Sequence, residues 1–164
     1  MGIMYNASEI YQIGIEIEKN GMAFYSACAR ATANAPVKKL CEELAQWESQ
    51  HVAVFENLRS QLPEGARLES SYDPYGELSL YLKAAADSHV FIANTDIAAL
   101  VAGADTPAKI LAIALSFEKD SVVVYTTMSR MVPEHLGKKN LDKIIDEELK
   151  HISIISQKMS EINK

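Results

Sequence analysis

Four residues able to serve a metal ion, Glu18, Tyr25, Glu48 and His51, recur 100 positions later as Glu118, Tyr125, Glu148 and His151. In each set a lone glutamate stands 30 residues ahead of a Glu-x-x-His. Residues three apart on a helix share a face, so Glu48 points with His51 and Glu148 with His151. Two such pairs and two further glutamates supply four carboxylates and two imidazoles. Projected into the core of a four-helix bundle, that set holds two transition-metal ions. Two divalent cations would neutralise the four carboxylates, and mixed oxygen and nitrogen donors suit iron, manganese or zinc rather than magnesium or calcium. One Glu-x-x-His arises easily by chance in a chain with 22 acidic residues. Two of them, at matched distances from two glutamates that each precede a tyrosine by seven residues, do not.

Four long helical patterns position these residues. In the first, from about Ser8 to Ala31, Ile10, Ile13, Ile17, Phe24 and Ala27 recur at helical spacing. The second opens at Pro36 and runs to about Leu62, where Pro63 and Gly65 stop it. The third opens at Asp105-Thr106-Pro107 and runs to about Met131, before Pro133. The fourth starts between Gly137 and Leu141 and ends near Ile162. No stretch alternates in the manner of a strand, so an all-α fold is predicted. Short connections at Asn34 and Pro133 make two antiparallel hairpins, about 8–62 and 105–162. The crossover 63–104 has room for short helices at Glu77–Asp87 and Asp96–Ala102. A connection this long can run back along the bundle and set the second and third long helices parallel. The expectation is a single domain over 1–164, a ferritin-like four-helix bundle with one long crossover between helices two and three.

The spacing also fixes height. Glu18 and Glu48 have their midpoint at position 33, and Glu118 and Glu148 at position 133, each inside a predicted turn. Both glutamates of a pair therefore lie about 22 Å from their turn at about 1.5 Å per residue. Leu44 and Ile144 precede the Glu-x-x-His motifs by one turn, and Phe55 and Ile155 follow the histidines by one. Gly14 and Ala114, one turn before the lone glutamates, leave room for a facing helix. Carboxylates on so apolar a seam cost too much unless a cation neutralises them. Glu48 and Glu148 are the expected bridges. Tyr25 and Tyr125 read either as donors to metal-bound carboxylates or as core aromatics at helical spacing. Glu16 and Glu147 are rotated by about 160° and about 100° from the ligand face and read as solvated or as partners behind the ligands. His89 and His135 lack matching partners and read as surface residues.

The whole chain bounds the function. Its 164 residues suffice for a real core, with 48% apolar and 23% charged residues. A net charge of −6 argues against a nucleic-acid partner. The opening MGIMYNASEI lacks a basic segment followed by an apolar run. The stretch Val90 to Ala104 is too short and too interrupted to span a bilayer. No membrane association and a cytoplasmic location are expected. Cys28 and Cys41 form no Cys-x-x-Cys and are expected as buried free thiols.

The segments EIEKNGMAFY around Glu18, WESQH around Glu48, FEKDSVVVY around Glu118 and EELKH around Glu148 resemble the rubrerythrin branch of the ferritin-like superfamily. The resemblance covers all four long helices. It implies two Fe ions, with Mn or Zn as substitutes, and oxidoreductase chemistry on peroxide or dioxygen. Full-length rubrerythrins add a rubredoxin domain, and this sequence reaches Lys164 without one. Electrons are then expected from an external donor such as a rubredoxin. Rubrerythrins also place an extra ligand glutamate one turn after the third-helix glutamate; here that position is Ser121, and its repeat equivalent is Gly21. A homodimer is expected for the oxidoreductase. The alternatives are an iron-handling ferroxidase or storage protein and a dimanganese catalase. No fifth helix is evident after Ile162, which counts against a large storage shell.

Overall fold

Asn6, Asn34 and Thr106 each start a long helix in the computed structural model, which describes residues 5–67, 73–88 and 96–162. The helices are α1 (Ala7–Ala31), α2 (Ala35–Ser60), α3 (Glu77–Ser88), α4 (Ile97–Gly103), α5 (Pro107–Met131) and α6 (Lys138–Ile162). The described residues contain no strand. At the head of α1, Glu9 N donates to Asn6 Oδ1 and Asn6 N donates to Glu9 Oε2, both at 2.9 Å. This closes a capping box. Asn34 Oδ1 accepts from Val37 N at 3.0 Å, and Thr106 Oγ1 accepts from Lys109 N at 3.2 Å. Pro36 and Pro107 sit in first turns, where a missing N–H costs nothing. Before α6, Gly137 takes φ +115°, and a Cβ there would lie 2.5 Å from Leu58 Cδ2. Only glycine meets both demands.

The repeat is structural as well as chemical. Helices α1 and α5 each span 25 residues, offset by the same 100 positions as the ligands. Tyr25 reaches Glu118 while Tyr125 reaches Glu18, so α1 and α5 run antiparallel. Trp47 meets His151 while His51 meets Glu147, so α2 and α6 do too. Within each hairpin the short turn reverses direction, which leaves α2 and α5 parallel, as the long crossover allows. Of the crossover helices, α4 packs on α1 and α3 on α5.

Phe24, Tyr25, Phe55, Phe117 and Tyr125 are fully buried around the ligands. Each contributes about 1.5–3 kcal/mol of burial. The space freed at Gly14 is taken by the Phe55 ring, 2.7 Å from where a Cβ would stand, and that at Gly21 by the Phe117 ring, at 2.5 Å. The equivalent positions in the other half carry Ala114 and Ser121 in place of the glycines and Ile155 and Ile17 in place of the phenylalanines. Added volume at each small position is thus matched by lost volume at the large one, as close packing demands. Helix α2 stops at Ser60, slightly before the expected Leu62, although Leu62 itself is buried. Cys28 and Cys41 are buried and free, and burial pushes their thiols up to about 11 and about 12. Among the described residues, no helix is long and apolar enough to cross a membrane. His89 and the first six residues of the interrupted stretch after it lie outside the described residues.

Candidate metal centre

Four helices deliver one residue or one pair each to a common point: Glu18 from α1, Glu48 and His51 from α2, Glu118 from α5, Glu148 and His151 from α6. The four carboxylates are wholly buried, and His51 and His151 are 2% and 5% exposed. His51 Nδ1 lies 3.0 Å from Glu148 Oε1, 3.4 Å from Glu48 Oε2 and 3.6 Å from Glu18 Oε2. His151 Nδ1 lies 2.9 Å from Glu148 Oε2 and 3.5 Å from Glu118 Oε2. The ligating atoms fall into two groups, each within 4.8 Å: Glu18, Glu48, His51 and Glu148, and Glu48, Glu118, Glu148 and His151. Glu48 and Glu148 belong to both, the arrangement a bridging pair needs.

Apart from those imidazole–carboxylate approaches, six buried polar atoms here make no hydrogen bond: Glu18 Oε2, both Glu48 oxygens, His51 Nδ1, Glu118 Oε2 and Glu148 Oε1. Each orphan costs about 1–3 kcal/mol. All of them converge on one locus, so the residues present fit two divalent ions.

The hydroxyl of Tyr25 donates to Glu118 Oε1 at 2.6 Å, and that of Tyr125 donates to Glu18 Oε1. Each tyrosine thus serves the opposite hairpin's glutamate, not the one seven residues earlier on its own helix. Burial, then the nearby carboxylates, push both phenols well above their ordinary value, so they act as donors only. One oxygen of each terminal glutamate is pinned and the other left for an ion. The two sequence readings of these tyrosines are compatible, since both rings are core aromatics as well.

Protonation follows from the crowding. Burial first, then neighbouring carboxylates, push Glu48 and Glu118 well above the usual carboxylate range. Burial acts the same way on Glu148, but hydrogen bonds with Glu118, His151 and His51 outweigh it and hold this carboxyl well below that range. Burial opposes charge on the imidazoles too, yet the surrounding carboxylates prevail, raising His51 far above its ordinary value and His151 to about 9. The metal-free site therefore stores protons that ions must displace.

A pH dependence follows, with opposite signs for folding and for metal. His151 rises from 6.5 to about 9 on folding, so its contribution is complete below 6.5 and lost as pH climbs through about 9. At about 1.4 kcal/mol per unit this is on the order of 3 kcal/mol. Glu48 and Glu118 share that sign from 4.5 upward, whereas the contribution of Glu148 is present above 4.5 and lost only in strong acid. The metal-free protein is expected to lose about 6–12 °C in Tm between mildly acidic pH and pH 9. Metal affinity should rise over the same interval. Thermal melts in a chelator and zinc titrations across this range check both; a metal-free Tm that rises with pH would contradict the assignment.

Behind the ligands, Glu147 is half exposed and its Oε2 lies 2.9 Å from His51 Nε2. Its repeat counterpart, Trp47, stacks on His151 with centroids 4.8 Å apart and planes 11° from parallel. Sequence reasoning passed over Trp47, although comparing the residue before each Glu-x-x-His would have singled it out. Trp47, Gln50, Glu147 and Lys150 line a cleft of about 260 Å³ with both histidines at its base. The centre thus opens on the α2/α6 face. Glu16 is exposed and accepts from Gln12 Nε2 at 3.1 Å, and His135 is exposed in a turn; neither joins the site.

An all-α ferritin-like bundle enclosing a carboxylate–imidazole cluster suited to two ions is the class that fold and site define. The chain shares this fold with a Thermotoga maritima protein solved at 2.30 Å and provisionally assigned as a ferritin-like diiron-carboxylate protein. The two are 23% identical with a TM-score of 0.69, over 98% of this chain and 99% of the other. No family model matches the sequence, and no curated protein does.

Proposed function

We propose that this protein is a di-iron carboxylate oxidoreductase of rubrerythrin type, reducing hydrogen peroxide or dioxygen with electrons from an external donor. The observation that carries the reading is the convergence of orphaned carboxylate oxygens and imidazole nitrogen on one buried point beneath an open cleft. Iron bound by Glu18, Glu48, His51, Glu118, Glu148 and His151 would supply two electrons for cleavage of an O–O bond. With two protons, hydrogen peroxide then becomes two waters. The chain's own part is positional. Tyr25 and Tyr125 hold Glu118 and Glu18 in place, and Phe55 and Phe117 pack against the tyrosine rings and keep that side dry. The cleft admits a small oxidant. A rubredoxin is the external donor this reading calls for. The same reading places a homodimer in the cytoplasm.

One observation favours iron handling as a second reading. Ser121 is fully buried, the Phe117 ring fills the space at Gly21, and neither position offers the extra carboxylate of rubrerythrins. Metal analysis and native mass of untagged protein separate the readings. Two irons per chain in a dimer is the expected result. A closed multi-subunit shell would replace the proposal with ferroxidase or storage, and two manganese ions with catalase.

A further inference from the structure

The repeat that supplies the ligands breaks one residue ahead of each Glu-x-x-His, where Trp47 stands opposite Glu147. Both side chains cross to the other hairpin's histidine, Glu147 by a 2.9 Å contact to His51 Nε2 and Trp47 by stacking on His151. Resting on the two-ion reading above, we infer that the two ion positions are inequivalent: the His51 position fills first, and Glu147 is the positioning residue responsible.

The ligand sets themselves do not distinguish the positions. Each has one terminal glutamate, one histidine and the shared Glu48 and Glu148. Each terminal glutamate is held by a tyrosine from the opposite hairpin. What differs is the far side of the imidazole. A carboxylate accepting from Nε2–H fixes the tautomer that leaves the Nδ1 lone pair for an ion and strengthens that nitrogen as a donor. Loss of such a partner typically costs about 10–100-fold in metal affinity. Trp47 offers His151 no equivalent, because an indole N–H only donates and the ring face fixes orientation without accepting a proton. Glu147 is 52% exposed, so water screens its charge. Its effect is carried by the direct hydrogen bond. A cation at the His51 position gains this support; one at the His151 position does not.

Crystals grown with one equivalent of cobalt(II) per chain test the inference, read by anomalous occupancy at each position. The expected wild-type result is a preference for the His51 position of about tenfold or more. Glu147→Leu removes the acceptor and should make the occupancies nearly equal, while Glu147→Gln keeps an acceptor oxygen and should retain part of the preference. Trp47→Glu gives His151 a carboxylate of its own and should equalise the positions by strengthening the weaker. Cobalt titrations of the same variants, followed by absorption, supply the readout in solution. A Glu147 that merely braced the bundle would, on replacement, weaken both binding steps alike and lower the metal-free Tm. Equal wild-type occupancy, preference for the His151 position, or a preference unchanged in Glu147→Leu overturns the inference and leaves the two-ion reading standing. Cobalt at neither position overturns that reading as well.

Discussion

Glu48→Gln and Glu148→Gln are each expected to abolish loading of both ions, yet to move the stability of the metal-free protein in opposite directions. Both carboxylates belong to both groups of ligating atoms, so either change damages two positions at once. Their metal-free surroundings differ. Both Glu48 oxygens are buried without a hydrogen bond, and burial and neighbouring carboxylates disfavour its charge. Glutamine is neutral in the folded and unfolded chain alike and has nearly the same volume, so folding no longer has to protonate or desolvate a carboxylate here, and a gain of about 1–3 kcal/mol is expected. Glu148 lies at 3.0 Å from His51 Nδ1 and 2.9 Å from His151 Nδ1, and it anchors both cationic rings. Removing one partner of such a buried pair costs about 3–5 kcal/mol. The double variant should fall between the two and bind no ion pair. Urea unfolding in a chelator, with metal content measured on the same samples, decides the matter. Equal destabilisation by both substitutions would show that repulsion around Glu48 is not a dominant effect in the empty site.

Hydrogen peroxide is expected to oxidise the reduced, iron-loaded protein at least about tenfold faster than dioxygen, a barrier difference of ~1.4 kcal/mol or more. This is what the rubrerythrin resemblance implies for a centre reached through a small cleft. Sustained turnover should be negligible until an external donor such as rubredoxin is added, because a single reduced centre supplies only one reduction event. Stopped-flow absorption with each oxidant, followed by steady-state assays with and without donor, gives the result. Slow, equal rates with both oxidants, together with mineral formation on repeated Fe(II) addition, would move the assignment to iron handling. The buried Ser121 and the ring-filled space at Gly21 give that outcome a structural route, since neither position supplies a further carboxylate to favour the oxidised metal.

The six candidate ligands were legible before any coordinates because a helix converts spacing into direction. The Glu-x-x-His pairs lie one turn apart, and equal spacing to a turn puts the lone glutamates at the same height. The helix starts at Asn34 and Thr106 were legible for a similarly local reason, since a cap satisfies N–H groups within a few residues of itself. Glu147 was only half legible. Its rotation from the ligand face was readable, but its reach to His51 was not, because that depends on how far apart α2 and α6 stand.

Local periodicity and an internal repeat thus determined, from residues alone, which side chains face inward, while connection lengths made two hairpins with α2 and α5 parallel the expected arrangement. Tertiary structure alone decided which partner each side chain meets across the bundle. Tyr25 pairs with Glu118 rather than Glu18, Phe55 occupies the space at Gly14, and Trp47 and Glu147 finish equivalent positions differently. Those contacts join residues 41 to 104 positions apart in the chain. They turn on distances of a few ångströms between helices, set by the summed volumes of the packed core, and no single helix encodes that sum.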